Sequence, residues 1–396
     1  MKSFWQDIRN THQTALTGQF HTDIVIVGAG YTGAWLAYWL RHSGLSVMVV
    51  ELRYAGYGAS GRNGGLILQG PAQLLGEAAA DWGEDRALEI LGLTRQTLDW
   101  VNQLADQYAI DYRRTGSLYV GGDATERPSI EYTVALMQRA GIPAAVLDPL
   151  DQHPSLQQLG YDLALWVPDD AIVHPVKLIQ ALFQEATASG IPLYQGQAVD
   201  RFEEHPDFII VTGPQFRIKA AHLVVATNAY TTIGIPAMAP WIQPVRGQVL
   251  ATAALAPLDH PFPVYADHGF NYWHQRPDGR LIAGGFRHLA LDDEVGLDLT
   301  LHPRIQARLQ ELVGALVGHS VPITHRWAGI MAMTPDRRPY VGQWTSRVWI
   351  AGGYNGHGSS VAPVAAKMVA EALTDNQPIW PLYDVARLKP GRQHPS

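Results

Sequence analysis

The stretch Thr22–Glu51, TDIVIVGAGYTGAWLAYWLRHSGLSVMVVE, decides the fold of this chain. It begins with Ile24–Val27, an apolar and β-branched run that is typical of a strand buried on both faces. An apolar stretch that ends at Gly44, a frequent helix-stop residue, predicts a helix. A second β-branched run, Val47–Val50, predicts another strand. This order of strand, helix and strand predicts a βαβ unit.

Three glycines separate the first strand from the helix, at the spacing Gly28-x-Gly30-x-x-Gly33. Gly28 permits the tight turn, Gly30 lets the backbone approach a pyrophosphate, and Gly33 lets helix and strand pack closely. The N-terminus of the helix offers N–H groups and a positive dipole end to phosphates. Glu51, at the end of the second strand, can accept hydrogen bonds from a ribose 2′-OH. We therefore predict a dinucleotide site rather than an ordinary βαβ turn. The acid at position 51 disfavours NADP, which the nearby Arg53 offsets only slightly.

The composition indicates a globular protein of two or three domains, with 396 residues of which 47% are hydrophobic and 16% charged. A net charge of −7 provides no basic field for nucleic acid or anionic lipid. The chain has no cysteine, which excludes disulfides, thiolate metal ligands and a cysteine-linked cofactor. The polar N-terminus lacks a signal-peptide core, and no run is long enough to span a membrane. We expect a cytoplasmic protein with no metal and no nucleic-acid partner.

A second glycine-rich segment, Tyr54–Gly70, follows directly after the βαβ unit and reads YAGYGASGRNGGLILQG. Its glycines, together with Ser60, Arg62 and Asn63, suit a loop that folds around a polyanion or a flat ring. A flexible loop without a ligand is the simpler alternative, but the position of the segment directly after Glu51 favours a binding loop.

The remaining elements are predicted from periodicity and turn residues. Helices are expected over 72–110, from Asp170 to just before Gly190, over 301–317 and over 361–373. Strands are expected at 116–120, 192–195, 197–203, 208–212, 216–219 and 223–228, with another before the glycine loop of 348–360. Phe4, Trp5 and Leu16 of the N-terminal lead-in, residues 1–21, are expected to pack onto the domain surface.

The glycine-rich segments together resemble the flavoprotein amine oxidase superfamily of D-amino-acid oxidase, glycine oxidase and sarcosine oxidase. Two of them are specific: GASGRNGG at 58–65, and WAGIMAMTPDRRPYVG at 327–342 followed by AGGYNGHGSS. The GASGRNGG form looks closest to the branch that contains gamma-glutamylputrescine oxidase. The resemblance implies a bound FAD and an α/β (α+β) chain of two discontinuous domains. A Rossmann-like FAD-binding domain would comprise 1–85, 166–240 and 327–396, and a mainly mixed-sheet substrate domain would comprise 86–165 and 241–326.

The resemblance also implies which residues bind FAD, and the loop 348–360 agrees because its glycines let the backbone run close to a ligand. A helix that starts near Ser359 would stabilise negative charge on the reduced flavin. His357 is ambiguous, since it could contact flavin or substrate or bond its own backbone. The expected cofactor-binding residues are Gly28, Gly30, Gly33, Glu51, Arg53, Ser60, Arg62, Asn63, Gly64, Gly65, Val199, Ala226, Asn228, Gly353, Gly356, His357, Gly358 and Ser359. We expect the FAD to be non-covalent, because the loop 54–70 contains no histidine and the chain no cysteine.

The positions that the resemblance assigns to substrate depart from glycine oxidase. Met331 stands where that enzyme has an arginine that binds the substrate carboxylate, and Gly356 stands where a second arginine would lie. Tyr272 matches a substrate-binding tyrosine, and Tyr354 is also expected near substrate. Strand alternation requires that either Tyr272 or Trp273 packs into the sheet. Because the loss of a guanidinium removes the strongest grip on a small carboxylate, an amine or N-substituted substrate is favoured over a free α-amino acid.

The reaction expected is oxidation of a C–N bond of a small amine or amino-acid derivative to an imine, with the catalytic residues unidentified. Sarcosine oxidases place a lysine above the flavin to assist reduction of O2, but 241–330 contains no lysine. The electron acceptor is therefore open between O2 and a quinone or protein. Three alternatives stay open: an enzyme for a free α-amino acid whose carboxylate binds Arg246 or Arg326, an NAD-dependent dehydrogenase, and a non-catalytic flavoprotein with structural FAD.

Overall fold

The computed structural model describes residues 2–9, 15–122 and 125–388. The expected FAD-binding domain also includes 1, 10–14 and 389–396, which lie outside the described residues. The chain forms two compact units. We call them the parallel-sheet unit, which comprises Trp5–Gly61, Pro175–Pro244 and the chain from Met331 onward, and the mixed-sheet unit, which comprises the chain up to Phe4, Arg62–His174 and Val245–Ile330.

The strands are β1 (Gly18–Val27), β2 (Val47–Glu51), β3 (Leu66–Ile67), β4 (Arg113–Arg114), β5 (Ser117–Gly121), β6 (Ala145–Leu147), β7 (Leu163–Val167), β8 (Ala171–Ile172), β9 (Leu193–Gln195), β10 (Arg201–Glu204), β11 (Ile209–Thr212), β12 (Phe216–Val225), β13 (Gln243–Ala254), β14 (Val264–Ala266), β15 (Asn271–Gln275), β16 (Arg280–Gly285), β17 (Ile323–Met333), β18 (Tyr340–Gln343) and β19 (Val348–Gly352). The helices are α1 (Tyr31–Leu40), α2 (Leu75–Trp82), α3 (Glu84–Ala105), α4 (Glu126–Arg139), α5 (Pro154–Gln158), α6 (Pro175–Ala188), α7 (Thr231–Gly234), α8 (Pro303–Val317) and α9 (Gly358–Asp375).

The parallel-sheet unit is built on the strand order β10-β11-β12-β1-β2-β9. β1 lies between β2 and β12 and is parallel to both, which confirms the predicted βαβ unit. β12 is long enough to serve two partners. Its first half pairs with β11 in antiparallel fashion, and its second half pairs with β19 in parallel fashion. The predicted strands 216–219 and 223–228 are therefore one strand that ends at Val225.

The mixed-sheet unit contains an eight-stranded sheet in the order β17-β13-β16-β15-β14-β5-β7-β6. Apolar residues of α8, such as Leu309 and Val313, join one core with Leu250 and Trp273 of the sheet. The helices α2, α3 and α4 form a second core with alternate residues of β7, including Leu165. A short sheet of β3, β8 and β4 completes the unit.

The two units divide the chain differently from the expected domains at five places. Residues 62–85, 166–174 and 327–330 and the chain up to Phe4 belong to the mixed-sheet unit, and residues 241–244 belong to the parallel-sheet unit. Strand pairing explains the two longer differences, because β3 follows the second glycine loop and pairs with β8, which precedes α6. This pairing also explains why α6 begins at Pro175 rather than at Asp170. The assignment of the units to cofactor and substrate stays a prediction.

Candidate functional site

The carboxyl ends of four strands carry the polar and glycine-rich segments of the parallel-sheet unit. Since β1, β2, β12 and β19 run in parallel, the residues that follow them lie at one edge of the sheet. These are the loop from Gly28, Glu51, the segment Ala226–Asn228 and the loop from Gly353. Ligands of open α/β sheets bind outside the carboxyl ends of the strands, so this edge is the candidate cofactor site.

Each glycine of the first loop meets a different close neighbour. Gly28 has a φ of +108°, and a Cβ there would lie 2.8 Å from the carbonyl oxygen of Ala226. A Cβ on Gly30 would lie 2.9 Å from Ser60 Oγ, and one on Gly33 would lie 1.9 Å from the carbonyl oxygen of Gly28. The physical roles expected of Gly28 and Gly33, a tight turn and close helix–strand packing, are therefore present in the structure.

Glu51 ends β2 with its carboxylate over the first glycine loop. One oxygen accepts the N–H of Ala29 at 2.8 Å, and the other accepts the N–H of Arg53 at 2.8 Å. Burial raises the pKa of Glu51, whereas these two N–H donors and the Arg53 charge oppose the rise. Each carboxylate oxygen keeps a second lone pair, which can accept a ribose hydroxyl.

Ser60 connects the second glycine loop to the first turn of α1. The N-terminal cap residue of α1, Gly30, has no side chain to bond the exposed N–H groups. Instead, the N–H of Tyr31 donates to Ser60 Oγ at 2.9 Å. The first turn of α1 and the hydroxyl of Ser60 thus lie together, as a phosphate site requires.

Two asparagines hold the peptide of Gly353 from both sides. Asn228 Oδ1 accepts the N–H of Gly353 at 2.9 Å, and Asn355 Nδ2 donates to the carbonyl oxygen of Gly353 at 2.8 Å. Asn228 is itself fixed, because its carbonyl oxygen accepts the hydroxyl of Tyr340 at 2.8 Å. Asn355 Oδ1 accepts the N–H of Thr334 at 2.8 Å. The side chain of Asn228 therefore supports the loop that leads to α9.

The helix α9 begins at Gly358, three residues earlier than predicted, with His357 at its cap position. The side chain of His357 makes no capping hydrogen bond to this helix. The N–H of His357 donates to the carbonyl oxygen of Tyr354 at 2.8 Å. Burial lowers the pKa of His357 to about 4, so its imidazole is neutral at pH 7. The uncharged cap leaves the positive end of the helix dipole available to an anion.

The segment Arg62–Gly65 belongs to the mixed-sheet unit, where its carbonyl groups are held. Arg62 is buried, its guanidinium donates to the Ala328 carbonyl oxygen at 3.2 Å, and its own carbonyl oxygen accepts the Trp327 indole N–H at 2.8 Å. Asn63 Oδ1 accepts the N–H of Gly65 at 2.8 Å. The side chains of Arg62 and Asn63 are therefore engaged within this segment and its sheet.

Tyr272 and Trp273 divide between the two faces of β15, as alternation requires. Trp273 is the one in the core, where its indole N–H donates to His260 Nε2 at 2.9 Å. Tyr272 is half-buried, and a Cβ on Gly64 would lie 2.6 Å from its ring. His274, on the same face of β15 as Tyr272, donates from Nε2 to the carbonyl oxygen of Gly64 at 2.8 Å.

Met331 and Gly356 are neighbours in the parallel-sheet unit. A Cβ on Gly356 would lie 3.5 Å from Met331 Sδ, so the thioether borders the place where a side chain at 356 would begin. Tyr354 is placed differently: it is buried, and its hydroxyl is 2.7 Å from Thr32 Oγ1 in α1. This contact joins the glycine loop 348–360 to α1. It gives no support to the substrate role expected of Tyr354, which stays a prediction.

Val199 was expected in a strand over 197–203, but it lies in the loop that precedes β10. The ladder with β11 begins only at Arg201, which is opposite Thr212. Gly213 explains the limit, because it lies against the Ala198 carbonyl oxygen, 2.3 Å from the position of a Cβ. A backbone contact of Val199 with adenine stays a prediction.

Several residues at this edge were missed by the sequence reasoning: Thr32, Thr334, Tyr340, Asn355 and the buried Gln195, whose Oε1 accepts the N–H of Ala55 at 2.7 Å. Asn355 lies in the glycine loop 348–360. An asparagine after each of two strand ends is the sequence signal that could have found it. Within the described residues, no cluster of side chains could hold a metal ion. No helix among them is long and apolar enough to cross a bilayer.

Comparison with known proteins gives a match over residues 23–372 to the family described as FAD dependent oxidoreductase. A probable oxidoreductase OrdL of Rhizobium meliloti is 29% identical over 370 residues, which cover 90% of this chain and 84% of that protein. The gamma-glutamylputrescine oxidoreductase of Escherichia coli is 25% identical over 363 residues, which cover 89% of this chain and 83% of that protein.

Two solved structures resemble the fold of the chain. L-proline dehydrogenase from P. horikoshii matches with a TM-score of 0.78 at 23% identity, and the match covers 94% of this chain and 99% of that one. Glycine oxidase from Geobacillus kaustophilus matches with a TM-score of 0.77 at 20% identity, with the same coverage of 94% and 99%. These likenesses confirm the expected fold class, an α/β chain with a Rossmann-like part and a mixed-sheet part.

Proposed function

This chain belongs to the family of FAD dependent oxidoreductases, and on that premise we propose that it oxidises a C–N bond of a small amine or amino-acid derivative. The carbon beside nitrogen loses a hydride and the nitrogen a proton, and water then hydrolyses the imine that results. The family membership confirms the predicted FAD dependence and the enzyme class. It also decides against the alternative of an NAD-dependent dehydrogenase.

The residues at the sheet edge fit FAD. The glycine cradle at Gly28–Gly33 and the hydroxyl of Ser60 would hold the pyrophosphate, and the Glu51 carboxylate would accept the adenosine ribose hydroxyls. The N-terminus of α9, at Gly358 and Ser359, would stabilise negative charge at the pyrimidine edge of the ring. FAD supplies the hydride acceptor when bound. We propose that the backbone of Asn63, Gly64 and Gly65 also contacts FAD.

The substrate preference rests on one observation, that a Cβ on Gly356 would lie 3.5 Å from Met331 Sδ. Both positions carry an arginine in the pattern that the chain otherwise resembles, and here a thioether and a glycine lie side by side. A buried carboxylate without a cationic partner costs several kcal/mol, whereas a substrate without an α-carboxylate places no such charge against the thioether. This favours an amine or N-substituted substrate.

The two arginines that could replace the missing ones are already engaged in the mixed-sheet unit. Arg246 is buried, bonds Asp298 at 2.6 Å and lies 3.5 Å from the Glu294 carboxylate. Arg326 donates to the Gln306 side chain at 2.9 Å and also bonds that of Gln310. Breaking a buried ion pair is strongly unfavourable, which argues against recruitment of Arg246 by substrate.

The acceptor of the electrons is either O2 or a quinone or protein, and the absence of lysine from 241–330 gives no reason to favour O2. Reoxidation of the reduced protein by O2, followed at the flavin band, separates the two. The proposal also includes a cytoplasmic location without a nucleic-acid partner, which the net charge of −7 and the lack of cysteine support.

The experiment that tests the proposal replaces Met331 by arginine and follows flavin reduction by glycine without oxygen. We expect Met331→Arg to speed reduction by glycine at least tenfold relative to wild type, because the guanidinium pairs with the carboxylate. Met331→Leu is the matched control and should leave the rate with glycine low. Equal rates for Met331→Arg and Met331→Leu would refute the assignment of Met331 to the substrate.

A further inference from the structure

The N-terminal lead-in contains Gln6, a polar side chain that is fully buried. Phe4–Ile8 forms a 3-10 helix, and Trp5 and Gln6 in it have no exposed surface. Burial of Trp5 was expected from its apolar ring. Gln6 is different, because a buried amide costs free energy unless it finds hydrogen-bond partners.

Gln6 finds them in the second glycine loop. Its Nε2 donates to the carbonyl oxygens of Gly56 and Tyr57, both at 2.9 Å. A Cβ on Gly61 would lie 2.0 Å from the Gly56 carbonyl oxygen and 3.1 Å from Gln6 Nε2, so a glycine is required beside this contact. Both hydrogens of one amide therefore fix two successive carbonyl groups.

A neighbouring arginine ties the same helix to the same loop. Arg9 Nη1 donates to the carbonyl oxygen of Gln6 at 2.7 Å, and its guanidinium lies 5.5 Å from the centre of the Tyr54 ring. We call the segment Trp5–Arg9 the N-terminal strap. The strap contacts the loop at Tyr54, Gly56 and Tyr57.

The loop that the strap holds is the one that reaches α1. The N–H of Gly56 donates to the Ala29 carbonyl oxygen at 2.9 Å, inside the first glycine turn. Four residues later, Ser60 Oγ accepts the N–H of Tyr31 at 2.9 Å. The carbonyl group of Gly56 is held by Gln6 while its N–H is held by Ala29, so the strap and the glycine turn grip the same residue from both sides.

We propose that Gln6 is a positioning residue for the cofactor, which sets the loop 54–61 so that Ser60 and the first turn of α1 hold the pyrophosphate. This inference rests on the proposed function, which assigns those groups to FAD. Because coupling between two binding events is reciprocal, FAD should order the strap as much as the strap favours FAD.

The test measures FAD affinity of the apoprotein by titration, with flavin fluorescence as the signal. Gln6→Met keeps the length of the side chain and removes both donors. We expect its FAD dissociation constant to rise about tenfold, as the loss of two hydrogen bonds implies. Gln180→Met is the matched control, since Gln180 Nε2 donates at 3.0 Å to the Ile8 carbonyl oxygen, which lies in the strap but makes no contact with the loop through Gln6. It should bind FAD as the wild type does.

An equal dissociation constant for Gln6→Met and wild type would overturn the inference, as would equal weakening by both variants. If Gln6→Met does not fold, hydrogen exchange of the wild type decides. Amide exchange in the strap should slow when FAD is added to the apoprotein, and unchanged exchange would refute the coupling. If the wild-type apoprotein itself fails to bind FAD, the proposed function is wrong, and this outcome is distinct from a failure of Gln6 alone.

Discussion

Glu51 is a half-buried carboxylate at the end of β2. Its two oxygens accept the N–H groups of Ala29 and Arg53, and each oxygen keeps a lone pair that can accept a ribose hydroxyl. The negative charge of Glu51 would repel a phosphate, whereas a neutral hydroxyl can donate a hydrogen bond to it. We therefore expect this one side chain to determine how tightly the ribose is held.

Substitution of this residue should reduce FAD retention and leave the fold intact. Glu51→Ala removes charge-assisted hydrogen bonds to ribose that are worth roughly 1.5–3 kcal/mol, which corresponds to a dissociation constant about tenfold to a hundredfold higher. Titration of the apoprotein with FAD measures the change, and circular dichroism checks the fold. Glu51→Gln keeps one acceptor, and its FAD dissociation constant should lie between those of the wild type and Glu51→Ala. An unchanged dissociation constant would mean that the ribose is not held by Glu51.

The roles of single residues were predictable where the physical reason is local. The need for glycine at positions 28 and 33 is local, because the atoms that exclude a Cβ lie a few residues away or directly after the adjacent strand. Tyr354 and Gln6 could not be read in this way. Their partners, Thr32 and Gly56, are 322 and 50 residues distant in the chain, and no periodicity encodes such a pairing.

At the scale of elements, strands buried on both faces were predictable and element ends were not. The β-branched runs of β1 and β2 and the helix α8 were found within two residues of their bounds, except for the polar start of β1 at Gly18. The strand predicted over 197–203 begins later than expected, because the ladder with β11 starts only at Arg201. The helix α6 begins later than predicted, because Ala171 and Ile172, directly after Asp170, pair with β3 as the strand β8.

Asp170 joins three elements of the mixed-sheet unit and makes their stability depend on pH. Its carboxylate accepts the hydroxyl of Ser117 in β5 at 2.6 Å and the N–H of Gln69 at 2.9 Å. Burial raises the pKa of Asp170 to about 7, although both hydrogen bonds oppose the rise. The folded protein therefore retains a proton that the unfolded chain loses near pH 4.

Stability from this group is complete below about pH 4 and is lost as the pH rises to about 7, by roughly 4 kcal/mol. Asp170→Asn cannot titrate, so its free energy of unfolding should fall less than that of the wild type between pH 4 and 7. Urea denaturation at several pH values measures both slopes. Parallel curves for the two proteins would show that Asp170 is ionised in the folded state throughout.

At the scale of the whole molecule, the mode of FAD attachment follows from residues that the chain lacks. There is no cysteine anywhere and no histidine in 54–70, so the attachment residues considered for relatives are missing. We expect the purified protein to be yellow, and acid precipitation should release the flavin into the supernatant. Colour that stays with the precipitate would demonstrate a covalent bond.

The family of this chain could be predicted from its glycine-rich motifs, whereas its substrate could not, because recognition depends on side chains brought together by folding. Met331 and Gly356 are 25 positions apart in the sequence, yet a side chain at position 356 would begin next to the Met331 thioether. The pattern indicated that two arginines are missing. Only the structure shows that the two replacements are neighbours.

Flavin reduction in the wild-type protein under anaerobic conditions tests most directly whether amines are preferred over free α-amino acids. The panel comprises glycine, D-alanine, their N-methyl derivatives, putrescine derivatives and simple amines. We predict rapid bleaching of the flavin band by one or more amines that have no carboxylate beside the reacting carbon, and slow bleaching by glycine and D-alanine, whose carboxylates would lie unpaired against Met331. Rapid reduction by sub-millimolar glycine with no response to any amine would contradict the proposed substrate preference.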